Sequence, residues 1–262
     1  MDFQTAFSGK KAVIGMVHLK PLPGSPHYGG DMEAIYRAAA EDLHALEQGG
    51  VDAAIVENFG DVPYTSENEP ITQVAMAALA ARLKKETGLT LGLNIQFNDT
   101  TAEWSIAHVA GYDFIRVEAL AENRAGPHGL SLAAGPSLLR LKARYPAPTM
   151  IFADIQVKHT FPLVDQPMDF SIDAAREAGA AAIIITGAAT GCNPTRSDVR
   201  TAKEASGDLP VLLGSGISAD NVREFFQIAD GAIIGSSFKQ NGNVWAPIDT
   251  QRVLRFMENL NR

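Results

Sequence analysis

Short apolar, β-branched runs alternate with Ala-rich segments of helical spacing along this chain, and the alternation repeats eight times. The strand segments cover residues 12–19, 53–57, 91–96, 114–119, 150–157, 182–186, 211–214 and 231–235. Helical patterns lie between them, among them 32–47, 74–87, 170–178 and 221–228. Such alternation predicts parallel strands joined by crossover helices. An open doubly wound sheet would show the same pattern. Eight units in 262 residues instead match the size and repeat number of a closed (β/α)8 barrel. The fold class expected is therefore α/β, a (β/α)8 TIM barrel occupying 1–262 as one domain.

Local punctuation agrees. Gly49-Gly50, Gly111 and Gly179 each stand just before a strand, where a left-handed helix C-cap belongs. Ser218-Ala219-Asp220-Asn221 offers N-cap candidates for the seventh helix. The stretch 121–135 is the longest between central elements without periodicity, and so is a candidate lid. No linker, low-complexity tract or shift of composition marks a second domain.

Composition limits the partners. The formal net charge of −8 argues against nucleic acid, whose binding rests on clustered Lys and Arg. It leaves room for a small anion, which a few backbone N–H groups can hold in an acidic protein. No apolar run reaches the roughly 18 residues of a membrane span, and the first eleven residues lack a signal peptide's apolar stretch. The expected location is cytoplasmic, with no transmembrane segment. The single cysteine, Cys192, excludes an internal disulfide framework and fits a reducing compartment. A homo-oligomer is plausible for a barrel, but no interface is legible.

In such a barrel the carboxyl ends of the strands build the site. Unusual polar residues gather there. The first strand ends at His18, the second at Glu57-Asn58, and the third carries Asn94 and Gln96. The fourth carries Arg116 and Glu118, and the fifth reads Asp154-Ile155-Gln156-Val157-Lys158-His159. Strand period places Arg116 with Glu118 on one face, and Asp154, Gln156 and Lys158 on another, opposite the apolar residues that pack on helices. These polar side chains are expected to point into the barrel. Buried charges are costly unless paired, so Glu57, Arg116, Glu118, Asp154 and Lys158 form a ring that can pair internally and can also do chemistry. A salt-bridge network that only fixes register is the plainer alternative. His159 reads equally well as a loop residue, and His27, His44 and His108 as surface or packing residues.

Near the carboxyl end the seventh strand runs into Gly214-Ser215-Gly216 and the eighth into Gly235-Ser236-Ser237. Small residues at adjacent loops let backbone N–H groups approach an anion, and a short helix start adds a favourable dipole. Many barrels hold a phosphate at this place. Thr186-Gly187 and Thr190-Gly191 supply a further wall. A zinc site is unsupported, since there is one Cys and no paired His at ligand spacing. The nucleophile elbow Gly-x-Ser-x-Gly and the P-loop are both absent. Mg2+ held by Glu57, Glu118 or Asp154 cannot be told from the ion-pair ring, and no cofactor is assured.

Gly15-Met16-Val17-His18-Leu19-Lys20-Pro21-Leu22-Pro23-Gly24-Ser25-Pro26 resembles the opening signature of the BtpA/SgcQ family. Residues 52–61, 153–159, 214–217 and 235–239 are similar to further stretches of it. The resemblance runs from about residue 10 to the end. It implies a barrel of the ribulose-phosphate-binding group, in a family with a photosystem I biogenesis protein and members encoded among sugar-metabolism genes. Two stretches depart from the family pattern. Phe97 stands where the family tends to have Arg, and Glu118 where it tends to have Asn.

The leading functional expectation is an enzyme acting on a phosphorylated sugar or related phosphometabolite by proton transfer, as an isomerase, epimerase or aldolase/lyase. A phosphoribosylanthranilate-isomerase-like reaction is one version. Asp154 or Glu57 would be the general base, while Lys158 or Arg116 would stabilise oxyanion charge or, for Lys158, form a Schiff base. His18, Asn94 and Glu118 complete the candidate set. The alternative is a non-catalytic assembly factor that retains a phosphate pocket.

Overall fold

The computed structural model describes residues 2–187 and 193–260, and it contains all eight expected strands. They are β1 (Ala12–His18), β2 (Ala53–Glu57), β3 (Thr90–Asn94), β4 (Phe114–Val117), β5 (Met150–Ile155), β6 (Ala182–Ile185), β7 (Val211–Leu213) and β8 (Gly231–Ile234). Each pairs in parallel with its neighbours in sequence. The last pairing, Ala12 with Gly231 through Gly15 with Ile234, closes the sheet into a barrel. Several strands stop short of the apolar runs in the sequence because the backbone turns at their carboxyl ends. Just past β5, Gln156 has φ +50° and leaves the strand conformation.

The helices are α1 (Phe3–Ala6), α2 (Met32–Gly49), α3 (Pro70–Leu83), α4 (Thr100–Ala110), α5 (Gly135–Arg144), α6 (Met168–Glu177), α7 (Arg196–Ser206), α8 (Val222–Phe225) and α9 (Thr250–Asn259) among the described residues. Gly50 and Gly111 close α2 and α4 in the left-handed conformation, as the sequence indicates. The third helix lies earlier than its periodicity suggests. Pro70 takes its first turn, where a missing N–H leaves no bond unmade. The helix expected over 221–228 shortens to α8. The Asn221 side chain is spent within its own turn, accepting from the Ser218 N–H at 2.9 Å and donating to the Gly216 carbonyl at 3.0 Å.

Alternation along the strands splits the core into two layers. Outward residues such as Val13, Val17, Ile115 and Ile151 pack against the helices. Inward residues fill the barrel, with Ile14, Ile55, Phe114, Phe152, Ile184 and Leu212 among them. The Phe114 and Phe152 rings stack with centroids 4.4 Å apart, and Phe3 and Phe7 pack beneath Phe152. Burying each such side chain contributes about 1.5–3 kcal/mol. Two residues further along the same strands, the inward positions become Arg116 and Asp154. The barrel is thus apolar at its floor and charged at its mouth.

The stretch 121–135 has more structure than its lack of periodicity suggests. Arg124–Gly126 and Gly129–Ser131 form an antiparallel hairpin, and Phe161–Pro162 adds to its other side. The buried Arg124 pairs with Glu122 at 2.6 Å and donates to the Thr160 hydroxyl at 2.6 Å, which fixes the hairpin to the exit of β5. Among the described residues, no helix is long and apolar enough to cross a membrane.

Candidate functional site

A cavity of about 460 Å3 opens at the carboxyl end of the barrel. The exits of β7 and β8 supply one side of it through Gly214, Ser215, Gly216, Gly235 and Ser236. Glycine is needed at 214: a Cβ there would stand 2.6 Å from Ile184 Cγ2 and 2.8 Å from Thr186 Cγ2. Ser237, Thr186 and Gly187 stand behind this wall rather than in it. The Ser237 hydroxyl donates to the Ile217 carbonyl at 2.7 Å. The Thr186 hydroxyl accepts from the Lys158 N–H at 3.2 Å, and the Gly187 N–H donates to Ser215 Oγ at 2.9 Å. All three hold the loops in place through their own bonds. Thr190-Gly191, the other wall expected from the sequence, lies outside the described residues.

The charged ring forms, with a division of labour that the sequence does not display. Arg116 donates to Asp154 through both Nε (2.8 Å) and an Nη (3.0 Å), and both residues are buried. Burial opposes the Arg116 charge, but the paired carboxylate outweighs it and holds the guanidinium above its ordinary pKa. Arg116 lines the cavity and Asp154 lies behind it. With both oxygens engaged by Arg116, Asp154 is poorly placed as a general base and well placed to orient Arg116. Lys158 also lines the cavity, but not by the strand alternation expected of it. The strand has already ended, Gln156 turns out to solvent, and Lys158 returns from the following turn.

Two carboxyl groups face the cavity, on Glu57 and Glu118. Burial raises the Glu57 pKa, although the charges of Arg116 and Lys158 oppose the rise. Burial also pushes Glu118 up to about 8, against the hydrogen bond from Asn94. Glu118 accepts from Asn94 Nδ2 at 2.8 Å and from the Asn98 N–H at 3.1 Å. The same Asn94 amide group donates to Glu103 at 3.0 Å and to the Arg116 carbonyl at 2.8 Å, so three acceptors surround two hydrogens. Glu103, on α4, is fully buried, and its Oε2 has no hydrogen-bond partner. Burial and then the Glu118 charge lift its pKa well above the carboxylate range. Nothing in the sequence marks Glu103, which reads as an ordinary acidic residue in a helix's first turn.

His18 stands beside the glycine-serine loop after β8, with Cε1 3.5 Å from where a Cβ on Gly235 would lie. Its pKa is lowered to about 3, first by burial and then by the Lys239 charge, so the imidazole is neutral. Its Nδ1 is buried without a partner. His18 stacks on Phe59 at 4.2 Å, and Phe59 meets Trp245 at 4.9 Å. Further round the mouth, Phe97 stacks on His128 of the hairpin at 3.8 Å. Phe59, Tyr64, Phe97 and His128 all line the cavity, as does His159. Phe59 and Tyr64 lie in an irregular loop, where no periodicity in the sequence marks an inward side chain. No group of three His, Cys, Asp or Glu side chains gathers in metal-binding geometry among the described residues. Of the expected Mg2+ ligands, Asp154 is engaged by Arg116 and Glu118 by two amide donors.

A sequence model of the BtpA family matches residues 9–262. An uncharacterized protein of Methanocaldococcus jannaschii is 38% identical, covering 97% of this chain and 96% of its own. The photosystem I biogenesis protein BtpA of Synechocystis is 37% identical, over 98% of this chain and 91% of its own. Among solved structures, the phosphoribosyl anthranilate isomerase of Thermus thermophilus superposes with a TM-score of 0.60 at 13% identity. The match covers 95% of this chain and 98% of that one, which is a likeness of fold.

Proposed function

From the premise that the chain belongs to the BtpA family, we propose that it is an enzyme acting on a phosphorylated sugar or related phosphometabolite by proton transfer, as an isomerase, epimerase or lyase. One observation carries this reading: two buried carboxyl groups of raised pKa share a cavity with two cations and with two glycine-serine loops. A group that holds its proton near neutral pH can both donate and accept one during turnover. Glu118 takes that role, with Glu57, whose pKa burial also raises, beside it. Arg116, fixed by Asp154, and Lys158 stabilise the negative charge that develops on a carbonyl oxygen when the neighbouring carbon loses its proton. Gly214–Gly216 with Gly235 and Ser236 hold the phosphate. The phosphoribosyl compound named for the Thermus thermophilus neighbour belongs to the same substrate class.

The Synechocystis relative suggests a second reading, an assembly factor. The interior favours the enzyme. Buried charges and a protonated carboxyl destabilise a barrel that apolar residues would fill better, and assembly alone does not call for them.

Proton transfer can be tested without knowing the product. Aldose and ketose phosphates are incubated with the protein in D2O, and loss of the proton next to the carbonyl is followed by NMR. At least one compound is expected to exchange, and Lys158→Ala is expected to abolish the exchange with the fold retained. Absence of exchange across the panel would contradict the reading, and exchange by the variant would remove Lys158 from the mechanism.

A further inference from the structure

The cavity is built for more than a phosphate and a sugar. The barrel order places β3 and β4 across the mouth from β7 and β8. The loop after β3 contributes Phe97 and the hairpin after β4 contributes His128, and these rings stack at 3.8 Å. The loop after β2 adds Tyr64 and Phe59. Tyr64 is fixed by its hydroxyl, which donates to the Phe59 carbonyl at 2.8 Å, so its ring is held in place. Phe59 is held in turn by its stack on His18. Burial lowers the pKa of His128 and so favours its uncharged form.

Along one diameter the cavity therefore has three zones. The small residues Gly214, Ser215, Gly216, Gly235 and Ser236 stand at the exits of β7 and β8. Glu57, Arg116, Glu118 and Lys158 stand between, and the stacked rings of Phe97 and His128 stand at the far side. A free sugar phosphate would satisfy the first two zones and leave the third facing water, although aromatic faces in a pocket gain most from another flat ring.

Resting on the phosphate reading above, we propose that the ligand of this site is a sugar phosphate that carries a flat, uncharged ring at the end remote from its phosphate, as nucleoside 5′-monophosphates do. The phosphate lies on Gly214–Gly216 and Gly235, the sugar over the charged residues, and the ring against Phe97 and Tyr64. His18 lines the cavity beside these loops, with its Nε2 3.9 Å from where a Cβ on Gly235 would stand.

Isothermal titration of the whole protein with ribose 5-phosphate and with uridine, adenosine and inosine 5′-monophosphates tests this. At least one monophosphate is expected to bind about ten-fold or more tightly than ribose 5-phosphate, the gain typical of one stacked ring. Phe97→Ala is expected to remove that advantage while leaving ribose 5-phosphate affinity unchanged. The proposal is overturned if no monophosphate outbinds ribose 5-phosphate, or if Phe97→Ala weakens every compound alike. Ribose 5-phosphate bound through Ser215, with no gain from a ring, would overturn this inference alone. Failure of all the compounds to bind would overturn the phosphate reading with it.

Discussion

Glu118 is buried at the rim of the barrel, and its proton is retained into the range where exposed carboxyl groups have long been ionised. The pKa rises from an ordinary 4.5 to about 8 on folding. A raised acid pKa stabilises the fold fully only below the unfolded value, and that stability is lost as pH rises to the folded value. Burial of His18 acts with the opposite sign, since its lowered pKa costs stability as pH falls from 6.5 toward about 3. Between pH 6.5 and 8 the carboxyl effect is therefore the one that shows. Wild-type stability in urea is expected to fall across this window by up to about 1.4 kcal/mol per pH unit for each such group. Glu118→Gln should flatten the fall, and an unchanged slope would show that Glu118 is ionised in the native state. The candidate charges at 57, 116, 118 and 154 were legible in the sequence because strand alternation marks inward positions, whereas Lys158 reaches the cavity from the turn after β5. Their partnerships were not. Which carboxylate holds Arg116 depends on the stagger between β4 and β5, and Glu103 arrives from a helix that alternation does not describe.

The same limit operates between elements. Gly92 in β3 faces Phe114 in β4, and a Cβ at Gly92 would stand 2.1 Å from the Phe114 ring. The absent side chain makes room for the ring that stacks on Phe152 in the barrel floor. Gly92→Ala should overpack this layer and cost about 1–3 kcal/mol in urea unfolding, largely recovered by adding Phe114→Leu. No loss of stability would mean that the floor is looser than the stacked rings imply. Periodicity revealed the eight strands, and glycines marked the ends of α2 and α4, since these depend on neighbours in sequence. The hairpin over 124–131 escaped notice because it rests on long-range anchors. Arg124 is held by Thr160, and Phe161 supplies the third strand.

At the scale of the whole molecule, barrel closure makes a site from residues that are far apart in the chain. It brings His18, Glu57, Glu118 and Lys158 to one cavity with Ser215 and Ser236. Eight repeats in the sequence were enough to predict that closure, and with it the mouth where the site lies. In the function proposed, the exits of β7 and β8 hold a phosphate. Calorimetric titration with ribose 5-phosphate, with ribose as control and Ser215→Asp as variant, tests it most directly. A carboxylate at 215 would face the phosphate at close range with little water between them. Binding of ribose 5-phosphate but not ribose, weakened at least about ten-fold in Ser215→Asp, is the result expected. Absence of binding, equal binding of ribose, or affinity untouched by Ser215→Asp would contradict it.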